Sequence, residues 1–310
     1  MGEGLKMASL ETRIGMLHLK NPVMPASGTF GYGEEFAPLF DLNELGAIVS
    51  KAVSLHPRPG NLPPRLVELK SSLLNSIGLQ NPGAEGFLRE KIPFLEGFEP
   101  PLIVNVVGNG IEEYQEVVEK LDECPRVDGF EINLSCPNVK RGLEFGTTHS
   151  GVERITTALR QSTRKPLWVK LSPNVPDPAD LGKAAEGAGA DAIVAINTLG
   201  GMAVDIEKKR PILGAQFGGV SGPAVKPVAL KIVWNLYKHL TIPVIGVGGI
   251  MNGRDAIEFL MAGATAVQVG TANFINPCAM IDILREIRSW MDSHEVGRLE
   301  ELIGAAHPGS

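Results

Sequence analysis

Eight short apolar runs separated by helical patterns constrain the fold of this chain more than any other feature of its sequence. Each run has the length of a strand and is far too short to span a membrane. Apolar strands that alternate with amphipathic helices are typical of a parallel sheet whose outer face is covered. The predicted strands are Val23–Ala26, Ala47–Lys51, Leu102–Val107, Gly129–Asn133, Leu167–Leu171, Ala192–Asn197, Val244–Gly248 and Ala266–Gly270.

Helical periodicity fills the intervals between these strands. The pattern indicates an α/β fold. Eight strand–helix units without a clear interruption favour a single closed (β/α)8 TIM barrel over a doubly wound sheet. The chain has 310 residues and no linker or shift of composition, so we predict a single domain over residues 1–310. The helical patterns include Glu112–Leu121, Val152–Gln161, Ala179–Ala188, Lys226–Lys238 and Arg254–Met261.

Three further segments complete the predicted architecture. Leu10–Leu19 alternates around Ile14-Gly15, which predicts an N-terminal β-hairpin that caps one end of the barrel. The connections Val53–Pro101 and Leu199–Pro223 are too long for simple turns. Long loops that follow barrel strands build the active-site face, so we expect both connections there.

Charge and cysteine usage exclude several classes of protein. The net charge is −6, without the basic face of a nucleic-acid binder. Cys124, Cys136 and Cys278 form no CxxC pair, so we expect neither disulfides nor an iron–sulfur cluster held by this chain alone. The six histidines show no HExxH pattern, and no metal site is expected. Because residues 1–8 lack an apolar signal core, we expect a cytoplasmic protein.

Polar residues and glycines collect where the predicted strands end, as catalytic groups of barrels do. Any single asparagine could instead cap the following helix, but the whole ring indicates a site. Glycines after the last two strands are typical of a phosphate site, although tight turns are the alternative. The strand-end residues are Lys51, Asn105, Asn133, Lys170, Asn197, Thr198, Gly248, Gly249, Gly270 and Thr271.

Cys136 lies just past a strand end, beside Ser135 and Asn133. A thiolate there could serve as a base or a nucleophile if nearby positive charge or hydrogen bonds lower its pKa. A buried inert cysteine is the alternative interpretation. Pro137 directly follows and favours a fixed loop over a core position.

Eight segments mark a known family: SKAV, NSIGLQNPG, NLSCPN, VKLSPNV, INT, SGPAVKP, GVGGI and VGTA. In these segments the chain resembles the class 1 dihydroorotate dehydrogenases, and the resemblance covers nearly its whole length. Three stretches, SCPNVKRGLEFG, GMAVDIEKKRP and GGVSGPAVKPVAL, are more similar to class 1B. Class 2 enzymes have serine at the position of Cys136 and carry a membrane-associating extension, and we expect neither feature in this protein.

The resemblance implies a role for each matching position. Cys136 would be the catalytic base, Lys170 would stabilise charge on reduced FMN, and Lys51 would lie beside substrate and flavin. Dihydroorotate would contact Lys51, Asn75, Ser76, Ile77, Gly78, Leu79, Asn133, Asn197 and Thr198. FMN would contact Ser27, Lys51, Ala52, Asn105, Asn133, Lys170, Ile196, Gly222, Gly248, Gly249, Gly270 and Thr271.

The resemblance also implies a pathway and a partner. Class 1B enzymes oxidise dihydroorotate in de novo pyrimidine (UMP) biosynthesis and pass electrons to NAD+ through a subunit with FAD and a [2Fe–2S] cluster. The implied assembly is a heterotetramer built on a homodimer of catalytic chains. The alternatives are a fumarate-dependent class 1A enzyme, a dihydropyrimidine dehydrogenase catalytic part, a tRNA-dihydrouridine synthase, and a non-catalytic barrel that binds a phosphorylated ligand.

Overall fold

The computed structural model describes residues 8–134 and 142–309, with residues 142–144 described by their backbone alone. The strands in chain order are β1 (Thr12–Ile14), β2 (Leu17–Leu19), β3 (Val23–Pro25), β4 (Ile48–Val49), β5 (Leu66–Leu69), β6 (Ser72–Asn75), β7 (Leu102–Val106), β8 (Gly129–Asn133), β9 (Leu167–Lys170), β10 (Ala192–Ala195), β11 (Leu199–Gly201), β12 (Val204–Asp205), β13 (Arg210–Pro211), β14 (Gly218–Ser221), β15 (Val244–Val247) and β16 (Ala264–Val269).

The predicted helices are all present, with ends that differ by up to three residues. The α-helices are α1 (Gly83–Glu90), α2 (Ile92–Leu95), α3 (Ile111–Asp122), α4 (Gly142–Thr147), α5 (His149–Ser162), α6 (Pro178–Gly187), α7 (Lys226–His239), α8 (Gly253–Met261), α9 (Ala272–Ile275) and α10 (Ala279–Ser293). Side-chain caps explain the earlier starts, since Thr148, Asp177 and Asn252 accept N–H bonds at α5, α6 and α8. In the part of the chain that the structure describes, no helix has the length and apolar content to cross a membrane.

Eight strands form a parallel sheet in the order β3-β16-β15-β10-β9-β8-β7-β4, which confirms the predicted barrel. Between the outermost strands, the N–H of Gly46 donates to the carbonyl oxygen of Val23 over 2.8 Å. A Cβ on Gly46 would lie 2.1 Å from the backbone oxygen of Asn21, so this close approach requires glycine. Three predicted strand ends were wrong by two residues: β4 ends at Val49 and not at Lys51, β10 ends at Ala195 and not at Asn197, and β16 begins at Ala264 and not at Ala266.

Alternate residues of the barrel strands point inward, and their apolar and polar side chains fill the barrel. Ile103, Trp168, Val194 and Ile245 belong to one buried apolar cluster inside the barrel. The β-hairpin contributes to the same cluster, because Ile14 and Leu19 are fully buried in it. The hydroxyl of Thr12 donates to the carbonyl oxygen of Thr265 near the start of β16, so the hairpin caps the amino-terminal end, as predicted.

The two long connections pair with each other, which the sequence did not predict. They contribute an antiparallel sheet of order β11-β14-β6-β5, in which Leu74 lies opposite Val220. The strand segments LGG and GGVS have no alternating apolar pattern, so nothing local marked them as strands. Both connections nevertheless reach the carboxyl-terminal end of the barrel, where β14 ends at Ser221 beside Thr271.

Candidate active site

Five polar side chains meet inside the barrel, toward the carboxyl-terminal ends of its strands. We call them the barrel-end cluster: Ser27, Asn105, Glu131, Lys170 and Gln268. The Lys170 ammonium lies 3.1 Å from Oε1 of Glu131, 3.2 Å from Oε1 of Gln268 and 3.3 Å from Oγ of Ser27. Asn105 Nδ2 donates to Glu131 Oε1 over 2.6 Å. Gln268 Nε2 donates to Glu131 Oε2 over 2.5 Å. All five residues are buried, so the cluster is a charged network inside an otherwise apolar barrel.

Ser27, Asn105 and Lys170 were predicted as site residues from the sequence, whereas Glu131 and Gln268 were not. A signal was present, because each is a polar residue inside an apolar strand and lies on its inward face. On β8 the neighbours Phe130 and Ile132 pack on the outer side, which leaves Glu131 facing inward. A carboxylate at such a position needs buried partners.

The barrel-end cluster keeps one buried acceptor without a partner. Oδ1 of Asn105 has no hydrogen bond within the described residues, although the side chain is fully buried. An unpaired buried amide oxygen is costly. A planar heterocycle with N–H groups would satisfy it, and this fits the polar edge of a flavin.

The predicted substrate residues at the ends of β8 and β10 do contact each other. Asn197 Nδ2 donates to Asn133 Oδ1 over 3.1 Å, and Thr198 N donates to Asn197 Oδ1 over 2.8 Å. Tyr114 fixes the end of β8 through a 2.7 Å hydrogen bond from its hydroxyl to the carbonyl oxygen of Asn133. These amides are therefore held in fixed orientations beside the barrel-end cluster.

The predicted loop Asn75–Leu79 is attached to the same region through the second sheet. Asn75 Nδ2 donates to the carbonyl oxygen of Gly219 over 3.1 Å. A Cβ on Gly219 would lie 2.1 Å from Oγ1 of Thr198, so the second sheet meets the end of β10 at this glycine. The loop itself turns sharply, with φ of +76° at Gly78 and +55° at Leu79.

Lys51 follows β4, and its ammonium has no hydrogen bond or ion pair with the described residues. Its backbone N–H donates to the carbonyl oxygen of Gly31, which fixes the chain at this strand end. Burial lowers the pKa of Lys51, with Arg65 acting in the same direction and Glu35 opposing it. A partly buried ammonium that forms no ion pair with the described residues is suited to binding a negatively charged ligand. Ala52, the next predicted residue, is buried.

Glycines predicted to contact FMN converge from three loops, and we call Gly222, Gly248, Gly249 and Thr271 the glycine cradle. A Cβ on Gly249 would lie 2.9 Å from the backbone oxygen of Gly222, and one on Gly222 would lie 3.3 Å from Cγ2 of Thr271. All three glycines have positive φ. Within the described residues, the N–H groups of Gly249 and Thr271 have no acceptor. Free amides beside positions that exclude a side chain fit a phosphate group.

The remaining predicted cofactor residues surround this cradle. Ile196 Cγ1 lies 3.4 Å from the position of a Cβ on Gly248, and Gly270 approaches Ala26. Cys136 lies outside the described residues, between Asn133 on β8 and α4. In the described ranges, no three His, Cys, Asp or Glu side chains are arranged to hold a metal ion. The candidate site therefore combines the glycine cradle, a polar interior and a row of amides.

A family model described as dihydroorotate dehydrogenase matches residues 9–291. The chain belongs to the dihydroorotate dehydrogenase family. Proteins named "Dihydroorotate dehydrogenase B (NAD(+)), catalytic subunit" are among its relatives. The one from Desulforamulus reducens is 51% identical over 96% of this chain and 99% of its own length. The one from Geobacter metallireducens is 52% identical over 97% of this chain and 99% of its own length.

Membership of the dihydroorotate dehydrogenase family confirms the family predicted from the motifs. A crystal structure of DHODH in complex with ferulenol from Eimeria tenella supports the fold. It has a TM-score of 0.81, covering 96% of this chain and 89% of that one, at 23% sequence identity. The sequence comparisons therefore show the family of this chain, and the structure comparison shows that its fold is the barrel of that family.

Proposed function

We propose that this chain is the catalytic subunit of a B-type dihydroorotate dehydrogenase, which oxidises dihydroorotate to orotate in pyrimidine (UMP) biosynthesis. One observation carries the proposal: about half of the residues are identical, along nearly the whole chain, to proteins that bear this name. The ring of amides and lysines at the barrel end is the chemistry that such a substrate requires. A cyclic imide with a carboxylate needs donors, acceptors and a positive charge.

The cofactor in this proposal is FMN. Its phosphate would be held by Gly222, Gly248, Gly249, Gly270 and Thr271, and its ring by Ser27, Ala52, Asn105, Lys170 and Ile196. When bound, FMN supplies an acceptor for the hydride that leaves C6 of dihydroorotate. Lys170 stabilises the negative charge that accompanies reduction, because its ammonium is buried and fixed by three neighbours.

The substrate in this proposal is held by the amides of Asn75, Asn133 and Asn197, with the loop residues up to Leu79 and Thr198 completing the site. Lys51 attracts the substrate carboxylate. Cys136 acts as the base that takes the proton from C5, which is acidic because a carbonyl group adjoins it. Rigid amides favour this chemistry, since they orient the substrate before the proton and the hydride leave.

Electrons leave this chain for a partner subunit in our proposal, and NAD+ is the final acceptor. The names of the relatives contain both "NAD(+)" and "catalytic subunit", which supports a second subunit. We assign FAD and a [2Fe–2S] cluster to that partner. We further propose that two catalytic chains form a homodimer at the centre of a heterotetramer.

The substrate assignment is tested with the purified chain and an artificial dye as electron acceptor. The chain should release FMN on denaturation and form orotate from dihydroorotate. Dihydrouracil, which lacks the carboxylate, should be oxidised far more slowly. Equal oxidation of both compounds, or a purified protein that neither contains nor binds FMN, would contradict the proposal.

The role of Cys136 is tested by rapid mixing with saturating dihydroorotate. Cys136→Ala should slow flavin reduction by about 10²–10⁴-fold, the usual range for a general base, and leave substrate affinity nearly unchanged. Cys278→Ala is the matched control, because Cys278 lies at the start of α10 and is assigned no role. Flavin reduction at the wild-type rate in Cys136→Ala would exclude this thiol as the base.

A further inference from the structure

Glu131 has no role in the reaction described so far, yet its carboxylate is the centre of the barrel-end cluster. The side chain is fully buried. Its Oε1 accepts from Asn105 over 2.6 Å and from Lys170 over 3.1 Å, and its Oε2 accepts from Gln268 over 2.5 Å. All three groups donate, so the carboxyl group acts only as an acceptor, as an ionised carboxylate does.

Glu131 lies deeper in the barrel than the residues that are proposed to face the ligand. It lies two residues before Asn133 on the same face of β8, and its register partner on β7 is Asn105. Asn133 is in turn paired with Lys170 on β9. Glu131 would therefore act on the proposed FMN site indirectly, through its hydrogen bonds with the side chains of Asn105 and Lys170.

Two consequences follow from these contacts. Glu131 accepts a hydrogen bond from Nδ2 of Asn105. Oδ1 of the same amide is then the buried atom that has no partner in the described residues. It also places a negative charge beside the buried Lys170 ammonium, and this charge opposes the positive potential of the lysine. Both the amide orientation and the net charge of the site depend on this carboxylate.

We propose that Glu131 is a positioning residue, which fixes Asn105 and Lys170 and limits the positive charge that Lys170 presents to the cofactor. The inference rests on the proposed function, because it assumes that FMN binds above the cluster. Removal of the carboxylate charge leaves Lys170 unopposed. Reduced flavin carries more negative charge than oxidised flavin, so the equilibrium then shifts toward the reduced cofactor.

The test uses the flavin reduction potential of the loaded protein, measured by equilibration with a reference dye. Glu131→Gln removes the charge and keeps the size of the side chain. We expect the equilibrium between oxidised and reduced flavin to shift toward reduction by about tenfold, which is about 30 mV for a two-electron couple. The exchange variant Glu131→Gln/Gln268→Glu returns one carboxylate to the cluster on β16, and we expect a potential within about twofold of the wild-type equilibrium.

The outcomes separate this inference from the proposed function. If the wild-type chain binds no flavin, the proposed function fails. If the wild type binds FMN but the potential of Glu131→Gln is unchanged or lower, the charge role of Glu131 is wrong. If Glu131→Gln does not fold, the exchange variant decides: a folded protein with near-wild-type potential supports the inference. Failure of both variants to fold would contradict it, since the charge would then not be what the cluster requires.

Discussion

Asn197 and Asn133 are joined by a 3.1 Å hydrogen bond from Nδ2 of the first to Oδ1 of the second. Asn133 is the last residue of β8, Asn197 lies two residues past the end of β10, and β9 separates the two strands. The bond therefore determines which polar groups each amide leaves available for a ligand. Asn197 is further constrained, because its Oδ1 accepts from the N–H of Thr198. The two amides thus form one fixed unit in the proposed substrate site.

Loss of this unit should weaken catalysis with dihydroorotate. We predict that Asn197→Ala lowers kcat/KM by about 5–150-fold, because one hydrogen bond to the substrate is lost and Asn133 loses a partner. Steady-state kinetics with dihydroorotate would measure the change. Asn235→Ala is the control, since Asn235 lies exposed on α7 and should leave kcat/KM unchanged. An equal loss in both variants would contradict a role in the site.

Lys170 should contribute to stability as well as to chemistry. Lys170→Met leaves the Glu131 carboxylate buried without its cation, and such a loss typically costs about 3–5 kcal/mol. Urea unfolding of the flavin-free protein would measure the free energy of unfolding. Lys231→Met, at an exposed position on α7, is the matched control and should cost less than about 0.5 kcal/mol. An unchanged stability in Lys170→Met would show that the ion pair is not formed.

The glycine cradle should exclude even one methyl group. Gly249→Ala places a Cβ 2.7 Å from Cβ of Lys226 and 2.9 Å from the backbone oxygen of Gly222, at a φ of +76°. We predict at least about tenfold weaker FMN binding by fluorescence titration. Gly187→Ala is the control, because it lies at the end of α6 with no atom within 4 Å of its Cβ position. Wild-type affinity in Gly249→Ala would remove the cradle from the FMN site.

The pH dependence of catalysis should reflect Lys51. Burial lowers its pKa below the ordinary value of 10.5, so the free protein loses this charge at a lower pH than an exposed lysine would. As the pH rises through the lowered pKa, attraction of the substrate carboxylate declines, and kcat/KM should fall. Lys51→Arg keeps its charge, so its profile should lack this alkaline limb. A limb of equal pKa in both proteins would assign it to another group.

The same shift has a consequence for stability. Between the lowered pKa of folded Lys51 and the ordinary value of about 10.5, the unfolded chain binds more protons than the folded one. The contribution of Lys51 to the free energy of unfolding therefore rises with pH in that interval. Substrate affinity and stability should thus change in opposite directions there.

The barrel could be predicted because its signals are local. Apolar strands such as Gly129–Asn133 and helices such as α7 show their periodicity within a few residues, and strand order follows from the regular alternation. The second sheet could not be predicted this way, because Leu74 pairs with Val220 across a long sequence separation and two of the four strands, β11 and β14, are rich in glycine. Pairing of that kind depends on the folded barrel.

Contacts among the candidate site residues could be predicted where a motif marks both partners, but not where packing alone brings residues of different strands together. The amides Asn133 and Asn197 were found through their motifs, and the structure brings them together. Glu131 lies on the strand that precedes Cys136, but its contacts are with Gln268 and Lys170, which come from other strands. The role of Cys136 itself stays a prediction.

Anaerobic titration of the purified, FMN-loaded chain with dihydroorotate tests the proposed reaction itself. We predict that dihydroorotate bleaches the flavin absorbance and that neither NAD+ nor fumarate restores it. Recovery should require NAD+ together with the partner subunit. Recovery with fumarate alone would indicate a fumarate-dependent enzyme. A flavin spectrum unchanged by dihydroorotate would show that this chain is not a dihydroorotate dehydrogenase.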